Sequence, residues 1–144
     1  MSDRLNHECG LALIRLLKPL EFYQEKYGSA SYGLNKLYLM LEKQHNRGQD
    51  GAGFASVKFN MTPGQRFMHR ERSADQNPIQ EIFKLANENL SAFVKENPIS
   101  KDDITILKKN VPHVSELFLG HVGYGTFGKN SKDSVLPFFR QNNW

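Results

Sequence analysis

The chain has one cysteine, Cys9, among 144 residues. A single thiol excludes an internal disulfide, and a lone intracellular cysteine is either an inert buried group or a nucleophile. Long apolar runs are also missing. The longest near the N-terminus, Leu11 to Leu17, is interrupted by Arg15, which argues against a membrane span. No secretory signal precedes it, so a cytoplasmic location is expected. The five histidines are dispersed and lack ligand spacing, so neither a metal site nor a cofactor is expected. No Walker-type phosphate loop occurs. The net charge of +4 is scattered without an aromatic-basic stripe, which reads as a solvated surface and not as a nucleic-acid footprint. There are no internal repeats or low-complexity tracts, and the length fits one domain.

What the chain does have is apolar periodicity. Residues 1–8 are polar and aperiodic and read as a leader. Cys9 to Leu17 reads as a short buried strand, ended by Pro19. Residues 20–28 read as a loop with aromatic contacts from Phe22 and Tyr23. A helix is expected from about Ser31 to Gln44, because Leu34, Leu37, Tyr38 and Leu41 fall on one face and Ser31 suits the N-cap. Gly53 to Phe59 is a second strand, and Gln65 to Glu71 its hairpin partner after the Thr62-Pro63-Gly64 turn. Asn77 as cap, Pro78 at the first helical position and Gln80 completing a capping-box pattern form a helix start, followed by the stripe Ile79, Ile82, Phe83, Ala86, Leu90, Phe93 and Val94. Residues 96–115 read as an irregular insertion or short helix. Leu117 to Val122 is a third core strand, residues 129–134 a loop, and Val135 to Phe139 at most extended. Helices packed on strands indicate an α+β layered domain.

Three segments carry chemistry. His45-Asn46-Arg47-Gly48-Gln49-Asp50-Gly51-Ala52-Gly53 joins a helix to a strand, and its glycines imply positive φ or close backbone approach. Glu8-Cys9-Gly10 holds the only thiol. Gly120-His121-Val122-Gly123-Tyr124-Gly125-Thr126 is a second glycine-rich segment. A thiol attacks an amide as the thiolate, so it needs a base. No cysteine–histidine pair is evident from spacing, and each histidine reads as structural. A free α-amine on Cys9, with an ordinary pKa of about 7.7–8.0, would serve, provided residues 1–8 are removed.

Together these segments resemble the N-terminal part of a class II glutamine amidotransferase domain, nearest to the amidophosphoribosyltransferases. Arg47-Gly48-Gln49-Asp50 matches the family's turn after the first helix, and Gly120-His121-Val122, Tyr124 and Thr126 match its later strand. The resemblance implies an N-terminal-nucleophile α/β/β/α sandwich, incomplete in this chain, over residues 9–144. Residues 1–8 would be a propeptide, and the phosphoribosyltransferase domain is absent. It implies Cys9 as the nucleophile that forms a glutamyl thioester and releases ammonia for purine nucleotide synthesis. Arg47, Gly48, Tyr124 and Thr126 would bind glutamine, with no cofactor in this segment. A homo-oligomer of the full-length enzyme is left open.

Two departures accompany the resemblance. Gly123 stands where the family has an arginine that grips the glutamine α-carboxylate. The family's Asn-Gly oxyanion pair and its amine-binding aspartate would fall beyond Trp144. The expectation is therefore an isolated chain without activity. The alternative reading is a truncated or degenerate homologue that acts, if at all, by binding a partner.

Overall fold

Four antiparallel strands make one sheet in the order β1-β4-β2-β3, with β1 at Gly10–Arg15, β2 at Gly51–Val57, β3 at Met68–Ser73 and β4 at Leu117–Gly123. In this computed structural model the described residues are 9–123 and 132–138. The leader, Tyr124 and Thr126 lie outside them. Four helices accompany the sheet: α1 at Leu20–Tyr27, α2 at Tyr32–Glu42, α3 at Pro78–Glu96 and α4 at Ile104–Asn110. The chain is thus of mixed α+β class, as its periodicity predicts.

Period-2 alternation decides what each strand contributes. On one face Ala12, Phe54, Phe118 and Val122 pack under α2 and α3, against Leu34, Leu37, Leu41, Ile79, Ile82 and Phe83. Gly120 lies on this same face at the centre, where a β-carbon would meet the methyls of Leu37 and Leu41 at 3.0 Å. The fit lets α2 sit close to the sheet.

β1 is not the continuously buried strand that its composition predicts. Its burial alternates, and Leu11 and Leu13 are about two-thirds exposed, at 65% and 64%. The cause is pairing: β1 is an edge strand, and among the described residues no helix covers its second face. On that face the β2–β3 half is crossed by residues 135–137. Arg72 Nη1 donates to the Val135 carbonyl at 3.0 Å and Arg70 Nη1 to the Pro137 carbonyl at 3.3 Å.

The expected loop at 20–28 is instead helix α1. Pro19 occupies the N-cap position, and Gly28 closes the C-terminus in the left-handed region at φ 71°, its N–H donating to the Gln24 carbonyl. Leu20 and Tyr23 bury against Ile104, Leu107 and Val111 of the α4 region. Tyr23, Tyr27 and Tyr32 stack, with the last two ring centroids 4.4 Å apart. This tertiary burial outweighs the low periodicity of the segment. The capping box expected at α3 does not form: Asn77 makes no side-chain cap bond, and Gln80 Nε2 donates instead to Glu42 Oε1 at 2.7 Å. In the 96–115 segment, α4 is capped by Asp103, whose carboxylate accepts from the Ile106 N–H at 3.1 Å.

No helix among the described residues is long and apolar enough to cross a membrane.

Candidate functional site

The antiparallel register brings the three chemistry-bearing segments to one end of the sheet. Gly10 pairs with Val122 and Gly51 with Gly123, so the start of β1, the start of β2 and the end of β4 coincide. The turn before β2 is fixed to β4 by the Asp50 N–H, which donates to the Gly123 carbonyl at 3.1 Å. Gln44, just past α2, ties the same corner to β1: its Nε2 donates to the Leu11 carbonyl at 3.1 Å.

Gly48 is in extended backbone at φ −174°, ψ 119°, a conformation open to any residue. Its requirement for glycine is spatial. A β-carbon there would lie 2.6 Å from the Gly123 carbonyl carbon and closer still to the nitrogen and Cα of that residue. Of the two explanations for this glycine-rich turn, close approach is therefore the operative one. The left-handed glycines among the described residues are Gly28 and Gly64, far from it in sequence.

Cys9 is exposed at the mouth of this corner. Arg47 ends a 3-10 turn spanning His45–Arg47 and is exposed at the same end. Gly48 is buried beneath it. Cys9, Arg47 and Gly48 thus belong to segments that converge, while Tyr124 and Thr126 fall outside the described residues.

The structure adds a residue that spacing did not reveal. Leu11 pairs with His121, so Cys9, two residues before Leu11, lies on the same face of the sheet as His121 and opposite Gly123. The geometry at Gly123 gives the proximity. A β-carbon on residue 123 would lie 2.7 Å from His121 Cε1, 3.3 Å from His121 Nε2 and 3.4 Å from Cys9 Sγ. His121 is 8% exposed, and its Nδ1 is buried without a hydrogen-bond partner among the described residues. Burial pushes its pKa below the ordinary histidine value, so the imidazole is neutral at pH 7. The one signal in the sequence was the pairing of two short apolar strands, which fixes the face but is invisible until β1 and β4 are known to be neighbours.

Two other polar clusters compete for attention. Ser56 Oγ lies 2.8 Å from His113 Nδ1, and His113 Nε2 lies 3.3 Å from Glu71 Oε1. That order of groups resembles a hydrolytic triad, but Ser56 is 0% exposed and His113 3%. No substrate reaches them, and their contacts satisfy buried polar atoms beside Phe54 and His69. The second cluster surrounds Lys58, which is 3% exposed and donates to the Lys108 and Val111 carbonyls at the C-terminus of α4. Burial, then the Lys108 charge, lower its pKa to about 8, against the opposing pull of Glu116. Lys108 pairs with Glu116. A cleft of about 440 Å³ lined by Arg15, Lys18, Glu21, Lys108 and Glu116 opens beside this pair. It lies at the far end of β1 from Cys9 and has no part in the thiol chemistry.

Among the described residues no group of three or more histidine, cysteine, aspartate or glutamate side chains is arranged to hold a metal ion. No family model matches the chain, and neither a curated protein nor a solved structure matches it.

Proposed function

We propose that this chain carries the nucleophile-bearing part of a class II glutamine amidotransferase domain, of the kind that supplies ammonia to an amidophosphoribosyltransferase in purine nucleotide synthesis. The observation that supports the reading is the convergence of Cys9, the Arg47–Asp50 turn and the Gly120–Gly123 strand end at one corner of one sheet. These are the three segments that carry the sequence resemblance, and they are separated by up to roughly a hundred residues along the chain.

In this reading Cys9 Sγ attacks the side-chain amide carbon of glutamine, ammonia leaves, and water releases glutamate from the thioester. The α-amine of Cys9 takes the thiol proton once residues 1–8 are removed. Arg47, Gly48, Tyr124 and Thr126 shape the glutamine pocket. The four-stranded sheet would be one layer of an N-terminal-nucleophile α/β/β/α sandwich, and the uncovered leucines Leu11, Leu13 and Leu119 suit an inner face of that arrangement. The enzyme would be cytoplasmic, with glutamine as its small-molecule ligand and neither nucleic acid nor membrane as a partner. A homo-oligomer of the full-length enzyme would be compatible with this reading.

A second reading is favoured by Gly123, which has no guanidinium to pair with an α-carboxylate. It is a degenerate homologue that binds a partner without turning over glutamine. Glutamate release, measured with the intact mass of the same preparation, separates the two. Turnover by protein beginning at Cys9 supports the enzyme. Turnover by protein that retains Met1 or Ser2 refutes the α-amine as base. Protein beginning at Cys9 that neither binds glutamine nor is labelled at Cys9 by a glutamine-like electrophile favours the degenerate homologue.

A further inference from the structure

We propose that His121 is a proton acceptor for the Cys9 thiol, so that Cys9 is a reactive nucleophile even while residues 1–8 remain attached. The inference shares only Cys9 with the glutaminase reading and does not depend on glutamine as substrate.

The geometry at Gly123 carries it. Cys9 Sγ and the nitrogen-bearing edge of His121 both lie within 3.4 Å of one point, the place where a β-carbon on residue 123 would be. A β-carbon there would crowd the imidazole edge and touch the thiol. Glycine leaves that position empty. His121 is more than nine-tenths buried, and its Nδ1 has no partner among the described residues. The nitrogen found at the notch is Nε2, 3.3 Å from the same point that lies 3.4 Å from the thiol sulfur, and no side-chain partner holds the ring elsewhere among the described residues.

Charged groups from each neighbouring element leave the imidazole to the thiol. On β2 the same face presents Gly51, Gly53 and Ala55, none of them titratable. On β3 it presents Arg70, which donates to the Pro137 carbonyl, and Arg72, which is occupied by the Val135 carbonyl and by Asp133 at 3.8 Å. Arg47 and Asp50 stand in the adjoining turn, where both have interactions of their own. On β1 the neighbours are Cys9 and the apolar Leu11.

The step balances without a co-reactant. The Cys9 S–H proton passes to the imidazole, and the thiolate attacks an electrophilic carbon. With an alkyl halide the S–C bond forms, C–I breaks and iodide leaves. With a carboxamide the thioester forms, C–N breaks, and the imidazolium returns its proton to the departing amine. The substrate class is a small carboxamide or activated acyl donor able to enter the notch over Gly123.

Iodoacetamide alkylation of Cys9 tests this in the full 144-residue chain with residues 1–8 retained. Rates are read by intact mass between pH 5.5 and 9 for the unmodified protein, His121→Gln and His121→Phe. A free thiol of pKa about 8.5 is only a few per cent thiolate at pH 7. The expected result is slower alkylation at pH 7 in both variants, by about twofold or more, with the difference shrinking toward pH 9. Equal rates across the range overturn the proposal.

A second measurement keeps it falsifiable if the His121 variants unfold. The ring-proton NMR titration of His121 is compared between the unmodified protein and Cys9→Ser, which alters only an exposed atom. A shifted titration supports the pair, and superimposable titrations overturn it. Failure of the glutaminase reading looks different: no glutamate release, with the alkylation effect of His121 intact.

Discussion

The backbone of Gly48 lies against the backbone of Gly123, closely enough that residue 48 has no room for a β-carbon. The contact joins the turn after α2 to the end of β4, and it defines the corner where Cys9 sits. Gly48→Ala is therefore expected to destabilise the fold by about 1–3 kcal/mol, the usual cost of forcing atoms into a filled site. Urea unfolding of the two proteins measures it. A difference below about 0.5 kcal/mol, typical of a surface change, would mean that the turn moves aside freely.

Cys9 is expected to be the residue labelled by a glutamine-like diazo-ketone, since the sequence holds no other thiol. Mass spectrometry of the adduct in the unmodified protein and in Cys9→Ala checks this. Equal labelling of the variant would put the adduct elsewhere and end the thioester mechanism.

Gly123→Arg brings two effects into opposition. On the glutaminase reading, a guanidinium at this position would pair with the glutamine α-carboxylate, a contact of about 1.5–3 kcal/mol, so glutamine should bind roughly ten- to a hundredfold tighter by calorimetry without turnover being restored in this chain. The new β-carbon would also press on the His121 ring at 2.7 Å. The single variant is thus expected to lose about 1–3 kcal/mol of stability. Adding His121→Ala should recover part of that loss, with a coupling above about 0.5 kcal/mol. Additive losses in urea unfolding would show that residues 121 and 123 do not compete for space.

Acid should weaken the fold through His69. Burial chiefly, then the charges of Lys58, His113 and Arg66, lower its pKa from 6.5 to about 4, while Glu71 opposes them. In the unfolded chain this histidine takes up its proton near 6.5; folded, it resists until about 4. Between those values the unfolded state binds more protons, so stability falls as pH falls through the window and levels below it. The ring is only partly buried, and solvent screening leaves on the order of 1–2 kcal/mol for this group. Urea unfolding at pH 7, 5.5 and 4.5 should show a shallower decline in His69→Gln than in the unmodified protein. Parallel declines would assign the acid sensitivity to other groups.

The helices most visible in the sequence are those whose apolar stripes face one sheet. Leu34, Leu37 and Leu41 announce α2, and Ile79, Ile82, Phe83 and Ala86 announce α3, because a single buried face imposes a single period. Helix α1 was hidden, since its burial comes from Leu20 and Tyr23 meeting a cluster some eighty residues away. The alternation of β1 was hidden for a related reason: Leu11 and Leu13 are apolar but uncovered among the described residues. At the candidate site, Cys9 and the Arg47–Asp50 turn were legible from residue type. His121 was not, because its importance arises from strand register, which no local pattern encodes.

Strand β4 enters the sheet between β1 and β2, and this sets an order in time. β2 and β3 form a local hairpin, whereas Gly10 and Val122 must find each other across roughly a hundred residues. While β4 is absent, β1 has no described strand to pair with, and the thiol beside it has neither His121 nor the Gly48–Gly123 contact for company. On the proposed roles of Cys9 and His121, a chain still emerging from the ribosome carries only an ordinary free thiol. Any reactivity beyond that waits for the last closure, when β4 brings His121 beside it.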